Sequence, residues 1–131
     1  MAQVITIATH KGGVGKTTTS MAIGAAFARA DRACLIVDLD PQGHCGRGLG
    51  VVIEEGEPTI GAALTEHPTP IGTIIKETGV EGLHLAPSDV QLKHIMPSLY
   101  GRPRREEILK RAIAPVRDLR HLTKDRQEAV A

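Results

Sequence analysis

A glycine-rich segment near the beginning of the chain, residues 11–18, constrains the fold more than any other feature of the sequence. It reads Lys-Gly-Gly-Val-Gly-Lys-Thr-Thr. Glycines let backbone N–H groups approach a polyphosphate closely, as they do in phosphate-binding loops. The general pattern G-x-x-x-x-G-K-[ST] would place a glycine at position 10, where this chain has His10. The segment is therefore a tighter variant of the loop, led by a second lysine.

The residues of this loop have separate expected roles. Lys16 lies where the ordinary loop lysine reaches the β- and γ-phosphates, and Thr17 can offer its hydroxyl to Mg²⁺. Lys11 precedes the loop and should point away from its own phosphates, so it is better placed for a nucleotide held by a second subunit. The sequence thus predicts nucleotide binding and dimerisation. The candidate nucleotide-binding residues are Lys11, Gly12, Gly13, Val14, Gly15, Lys16, Thr17 and Thr18.

The flanks of the loop supply the structural context that the motif requires. Residues 3–8 form a short β-branched run that predicts a buried parallel strand. Residues 17–30 are Ala-rich with few breakers and predict a helix. A strand, a glycine-rich turn and a helix N-terminus would direct the helix dipole and free N–H groups at bound phosphates.

A second apolar run, residues 33–37, ends in two acidic residues, Asp38 and Asp40, followed by Pro41-Gln42-Gly43. This pattern predicts a second parallel strand with carboxylates at its C-terminal end, where ligands bind in open α/β sheets. The two-residue period would put both acids on one side if the strand continued that far. Carboxylates beside a Mg-nucleotide can orient a water molecule. The alternative is that both are solvated acids of a turn.

The stretches KGGVGKTTTSMAIGAAFARA and LIVDLDPQGH resemble the ParA/Soj family of deviant Walker A ATPases, which partition chromosomes and plasmids. The resemblance implies a P-loop NTPase-like, three-layer α/β/α fold with a mainly parallel sheet. It makes Lys11 the signature lysine that acts across an ATP-sandwich dimer. It makes Lys16 the phosphate lysine and Thr17 the Mg²⁺ ligand, and Asp40 the residue that helps activate the hydrolytic water. Asp38 becomes its neighbour in the outer shell of the metal.

The resemblance also implies cofactors and partners. ATP and Mg²⁺ would bind, an ATP-dependent homodimer would form, and slow hydrolysis would be stimulated by a ParB-like centromere-binding protein. The wider superfamily includes MinD-type positioning ATPases, which remain an alternative, although the sequence DLDPQG favours the ParA branch. No signal peptide or apolar run of membrane-spanning length is evident, so we expect a cytoplasmic protein without membrane contact.

Farther along the chain the resemblance loosens. Residues 82–88 resemble the third strand of the family with its Pro-Ser exit, and residues 89–96 and 104–114 predict helices. Short helical turns are expected between prolines at residues 59–64 and 71–76. We therefore assign residues 1–116 to the N-terminal part of a ParA-like domain.

Residues 117–131 form a polar tail that does not match the family. The Walker B strand expected after residue 116 is missing, so the P-loop strand would expose an edge. The adenine contacts and the DNA-binding surface of the family are missing as well, which makes nucleoid association conditional on surviving DNA contacts. A truncated gene product and a natural short form that pairs with another protein are both open. In either case the chain could be a non-catalytic fragment that binds nucleotide or a full-length ParA.

Charge and cysteine content add little to these hypotheses. Residues 102–131 contain nine Lys/Arg and five Asp/Glu, which permits nucleic-acid contact but also fits a solvated helix with i,i+4 ion pairs. Cys34 lies in a predicted strand and is expected to pack in the core. Adjacent His44 and Cys45 lack the second ligand pair of a zinc site.

Overall fold

The computed structural model describes residues 3–9 and 15–117. Within them, short helices alternate with strands, and 3₁₀ turns connect several of the helices. The helices are α1 (Lys16–Arg29), α2 (His44–Gly48), α3 (Ile71–Ile74), α4 (Gln91–Leu99) and α5 (Ile108–Ile113); the strands are β1 (Cys34–Val37), β2 (Lys76–Glu77) and β3 (Leu83–Ala86); the 3₁₀ turns are Ile60–Leu64, Arg105–Glu107 and Ala114–Val116.

The sheet of the described residues has three strands in the order β1-β3-β2. β1 pairs with β3 in parallel, with Cys34 opposite Leu83 and Val37 opposite Ala86. β2 pairs with the other edge of β3 in the antiparallel direction. The sheet is therefore mixed, which differs from the mainly parallel sheet that the family resemblance implies. The difference arises because β2, a two-residue strand after α3, returns along β3 without a crossover.

Helices cover both faces of this sheet, which gives a three-layer α/β/α arrangement. Alternate residues of β1 point to opposite faces, so Cys34 and Ile36 pack with the cluster under α1 and α2. Leu35 and Val37 pack with the larger cluster formed by the remaining helices. The buried members of that larger cluster are Ile60, Ala63, Leu64, Ile71, Ile74, Ile75, Ala86, Leu92, Ile108 and Val116.

The predicted strand at residues 3–8 is wrong for the described structure. Residues 3–9 adopt neither helix nor strand, and the side chains of Val4 and Ile5 are 63% and 58% exposed. A β-branched run favours a strand only when a neighbour pairs with its backbone. Among the described residues no strand pairs with it.

Most of the other predicted elements are confirmed. The helix expected at 17–30 is α1, and the strands expected at 33–37 and 82–88 are β1 and β3. The helix expected at 104–114 does not begin at Arg104, because its positive φ of 55° lies outside the right-handed helical region; a 3₁₀ turn and the shorter helix α5 follow it.

Two sets of expectations fall on residues outside the described part of the chain. These are the loop residues from His10 to Val14 and the tail from residue 118 onward. The boundary between the domain and the polar tail therefore stays a prediction. None of the helices described is both long and apolar enough to span a lipid bilayer.

Candidate functional site

The site begins at the N-terminus of α1. Gly15 precedes the helix in the left-handed conformation, with φ 86° and ψ 16°, which favours glycine because other residues are strained there. Its carbonyl accepts the first helical hydrogen bond from the N–H of Thr19, at 2.8 Å. Among the residues that the structure describes, no side chain caps the helix. The first N–H groups of α1 therefore have no intrahelical partner and carry the positive end of the helix dipole, an arrangement that suits an anion.

Lys16, the first residue of α1, faces the turn that follows β1. Its Nζ atom lies 3.6 Å from Oδ2 of Asp40 in a partly exposed ion pair. Such a pair contributes on the order of 1 kcal/mol or less because water screens it. Its importance is geometric. It brings together the predicted phosphate lysine and the predicted catalytic carboxylate, which lie on different elements.

The turn from Asp38 to Gly43 is held by its own acidic side chains. Oδ1 of Asp38 accepts the N–H of Asp40 at 2.9 Å, and Oδ1 of Asp40 accepts the N–H of Gln42 at 3.0 Å. The carbonyl of Asp40 accepts the N–H of Gly43 at 3.0 Å. β1 ends at Val37, so the strand does not continue through both acids as the alternation argument required. The turn, rather than the strand, sets their orientation.

Asp38 is buried, with 6% of its surface exposed, which excludes a solvated turn acid at this position. Burial raises the pKa of Asp38 above its usual value, the nearby charge of Asp40 raises it further, and the N–H groups of Asp40 and Cys45 together with Lys16 oppose the rise. Oδ2 of Asp38 has no hydrogen-bond partner among the described residues. A buried acceptor without a partner is costly, so this atom is suited to a water molecule or a cation.

The oxygen donors that line the cleft together with Asp38 are of the kind that binds Mg²⁺. The Thr17 hydroxyl, Asp38 and Asp40 line the same cleft as Lys16 and supply the hard ligands that Mg²⁺ prefers. The described residues contain no cluster of three or more His, Cys, Asp or Glu suited to a metal ion. A magnesium site beside a nucleotide needs only one or two protein ligands, because phosphates and water complete the shell.

Ser88 and Gly43 were not predicted as site residues from the sequence, although both lie at the turn that carries Asp38 and Asp40. Ser88 follows the C-terminal end of β3, and Asp38 follows the C-terminal end of the neighbouring parallel strand β1. Ser88 is 2% exposed, and its Oγ has no hydrogen-bond partner among the described residues. Gly43 has φ 65°, and a Cβ atom there would lie 2.6 Å from the carbonyl oxygen of Ser88. Ser88 could have been predicted from the Pro-Ser sequence that follows the third strand, because that position is at the ligand-binding end of the sheet.

Cys45 lies in α2 directly behind the turn. It is 4% exposed, and burial, with the charges of Asp38 and Asp40, raises the pKa of its thiol to about 11. The thiol is therefore protonated at neutral pH and packs with Leu49, Leu83 and Leu85. Cys34 also packs in this cluster, as expected.

A cleft of about 910 Å³ extends from the site along the sheet. Its lining includes residues 3–9, β1, several residues of α1 and Leu109 and Ile113 of α5. A free edge was predicted for the P-loop strand; in the described structure residues 3–9 form no strand, and β1 is one of the two edge strands of the sheet.

The remaining candidate residues cannot be placed. Lys11, Gly12, Gly13 and Val14 lie outside the described residues, so their contacts and the action of Lys11 on a second subunit stay predictions. Thr18 is described and lies exposed in the first turn of α1.

The chain is similar in sequence to several known proteins. Residues 2–120 match AAA_31, an AAA domain family. The chain is 40% identical over 117 residues to the sporulation initiation inhibitor protein Soj of Bacillus subtilis, covering 89% of this chain and 46% of that protein. It is 37% identical over 114 residues to the chromosome partitioning protein ParA of Myxococcus xanthus, covering 87% of this chain and 40% of that protein.

Among solved structures, a cobyrinic acid a,c-diamide synthase of Mycobacterium smegmatis with bound ADP and magnesium superposes with a TM-score of 0.82 at 34% identity. That match covers 88% of this chain and 46% of the synthase. The chain therefore spans less than half the length of these similar proteins.

Proposed function

Because the chain belongs to the ParA/Soj family of P-loop ATPases, we propose that it binds Mg²⁺-ATP at the N-terminus of α1 and hydrolyses it slowly as a partitioning ATPase. The observation that carries this proposal is the 3.6 Å approach of Lys16 to Asp40 at the N-terminus of α1, where the first N–H groups have no intrahelical partner. A lysine, a helix N-terminus and a carboxylate thus meet beside the C-terminal end of β1, which supports phosphate binding there.

Phosphoryl transfer requires positioning and charge neutralisation more than covalent chemistry. In the proposed reaction Lys16 leaves Asp40 and binds the β- and γ-phosphates, while the first N–H groups of α1 hold the phosphate oxygens. Asp40, held by the N–H of Gln42, then orients the attacking water. Thr17 and the unpaired Oδ2 of Asp38 would hold Mg²⁺ and its water shell, and the ion would neutralise developing phosphate charge.

The assembly is also proposed. Lys11 would reach a nucleotide in a second copy of the chain, so that ATP closes a homodimer, and a ParB-like protein would stimulate hydrolysis. Support comes from the names of the relatives, a chromosome partitioning ParA and a Soj. We place this activity in the cytoplasm.

Phosphate release from Mg²⁺-ATP by the complete 131-residue chain tests the proposal. Asp40→Ala should retain nucleotide binding and lose hydrolysis by about two orders of magnitude, because the water would no longer be oriented. Glu66→Ala, an exposed acidic residue outside the cleft, should leave turnover unchanged. Unchanged turnover in Asp40→Ala would contradict the role of Asp40.

A second candidate function is a non-catalytic interaction fragment that binds nucleotide or a full-length relative. It is favoured by one specific observation, the open edge of β1 beside the cleft. Size-exclusion chromatography with and without Mg²⁺-ATP separates the two candidates. A nucleotide-dependent dimer supports the ATPase, whereas a monomer that ignores nucleotide supports the fragment.

A further inference from the structure

The ion pair between Lys16 and Asp40 engages the same ammonium group that the proposed function assigns to phosphate. Nζ of Lys16 lies 3.6 Å from Oδ2 of Asp40, and the two side chains are 35% and 26% exposed. Lys16 forms no other ion pair within the described part of the chain. An ammonium group beside a carboxylate attracts a second anion less strongly, because part of its charge is already neutralised. Asp40 and a phosphate therefore compete for the same cation.

The backbone holds both partners in place for this contact. Oδ1 of Asp40 accepts the N–H of Gln42 at 3.0 Å, and the carbonyl of Asp40 accepts the N–H of Gly43, also at 3.0 Å. Lys16 is the first residue of α1, and its carbonyl accepts the Ser20 hydroxyl at 2.9 Å. The lysine has a flexible four-carbon stem, whereas the carboxylate is short and tied to the turn. Lys16 is therefore the partner that can exchange one anion for another.

A second carboxylate adds to the competition. Asp38 lies on the same turn and lines the cleft together with Lys16 and Asp40. A phosphate oxygen that contacts Nζ of Lys16 lies within roughly 7 Å of Oδ2 of Asp40, which is inside the Debye length of about 8 Å at physiological ionic strength. Repulsion by Asp40 is therefore only partly screened, and it acts on the same phosphate that Lys16 attracts.

We propose that Asp40 is an autoinhibitory counterion, which lowers the affinity of the site for polyphosphate by holding Lys16. The apparent affinity falls with the fraction of molecules in which the lysine is released. Release of Lys16 also leaves Oδ2 of Asp40 available to orient water, so one side-chain movement admits the phosphate and prepares the carboxylate. This role rests on the proposed function of Lys16 as the phosphate lysine, and it acts before any hydrolysis.

Binding of tripolyphosphate to the complete 131-residue chain tests the role of Asp40. Titrations in EDTA exclude metal ions, and phosphorus NMR registers weak binding as well as strong. Asp40→Asn removes the charge but keeps the Oδ1 acceptor for the N–H of Gln42. We expect this variant to bind tripolyphosphate about threefold to fivefold more tightly than the unmodified chain, which is the size expected for a partly exposed ion pair.

A double variant shows whether the effect passes through Lys16. In Lys16→Ala the counterion has no cation to hold, so adding Asp40→Asn should change the affinity by less than about twofold. Equal tightening with and without Lys16 would mean that Asp40 acts only as a general negative charge.

Asp31→Asn is the matched control for charge. Asp31 also lines the cleft, but it follows the C-terminus of α1, on the order of 20 Å from Lys16 along a helix of 14 residues. Its φ of 57° is one that asparagine tolerates. The affinity of Asp31→Asn should stay within about twofold of that of the unmodified chain. Circular dichroism would verify that each variant folds.

Three results would overturn the autoinhibitory role: no tighter binding by Asp40→Asn, an equal increase in Asp31→Asn, or an increase that persists in the double variant. If the unmodified chain still binds Mg²⁺-ATP in any of these cases, the proposed function stands and only the role of Asp40 as a counterion fails. Loss of both tripolyphosphate and Mg²⁺-ATP binding in a folded sample would overturn the two proposals together.

Discussion

At the scale of single residues, burial separates the two carboxylates of the turn. Asp38 is buried with an unpaired oxygen and a raised pKa, whereas Asp40 is partly exposed and contacts Lys16. The sequence predicted that both acids lie at the ligand-binding end of the sheet, but their separate roles came from the family resemblance alone. Their burial could not be predicted, because it depends on the packing of β3 and α2 around the turn.

The variant Asp38→Asn tests whether the buried carboxylate of Asp38 serves ligand binding at a cost in stability. The neutral amide removes the charge that burial disfavours, so the unliganded protein should gain about 1 kcal/mol of unfolding free energy at pH 7. Mg²⁺-dependent ATP binding should weaken, because Oδ2 of the carboxylate is lost. Thermal denaturation would measure the gain, with Glu66→Gln as an exposed control. Lower stability in Asp38→Asn would contradict the interpretation.

The thiol of Cys45 should make stability fall at high pH. Its pKa is raised from 9.0 to about 11 in the folded state, so the folded protein holds the proton more tightly than the unfolded chain. This pKa difference contributes up to about 2.7 kcal/mol to the free energy of unfolding. The contribution is fully present below pH 9 and is lost as the pH rises from 9 through 11.

Urea denaturation from pH 8 to 11 would measure this loss in the unmodified chain and in Cys45→Ala. The decline should be shallower in the variant, while Cys34, whose pKa burial also raises, contributes equally to both. Parallel curves would show that Cys45 does not titrate as proposed.

At the scale of elements, predictions succeeded where local pattern and packing agree. α1, β1 and β3 were predicted because an Ala-rich segment and two apolar runs each meet a buried partner. The run at residues 3–8 has an equally strong local pattern, yet it forms no strand because no described neighbour pairs with it. β2 could not be predicted, since two residues carry no periodic signal and their pairing depends on β3.

The turn between β1 and α2 depends on the absence of a side chain at Gly43. Gly43→Ala should destabilise the protein by about 2–3 kcal/mol, because it adds left-handed backbone strain to a 2.6 Å contact with the Ser88 carbonyl oxygen. Gly50→Ala is the matched control, since Gly50 has a similar φ of 69° and nothing within 4 Å of an added Cβ.

The control variant Gly50→Ala should be destabilised by backbone strain alone, by about 1 kcal/mol. The difference between the two variants in urea denaturation then isolates the contact with Ser88. Equal losses would show that the turn does not pack against the exit of β3 in solution.

At the scale of the whole molecule, the described residues form an α/β/α arrangement in which β1 and β2 are the edge strands of the sheet. Residues 2–120 match the family, yet the chain spans less than half of its relatives. The family and the Lys16–Asp40 half of the site could be predicted from short motifs, because those motifs are local. The open edge of β1 could not, because strand order depends on pairing across the sheet.

The most direct test of the central claim is calorimetry of Mg²⁺-ATP binding to the complete chain and to Lys16→Ala. Lys93→Ala, an exposed lysine on α4, serves as the charge-matched control. We expect saturable binding that Lys93→Ala preserves and Lys16→Ala abolishes, which would show that α1 and the turn after β1 form a working phosphate site. Absence of binding by a folded sample, or undiminished binding by Lys16→Ala, would contradict the proposed function.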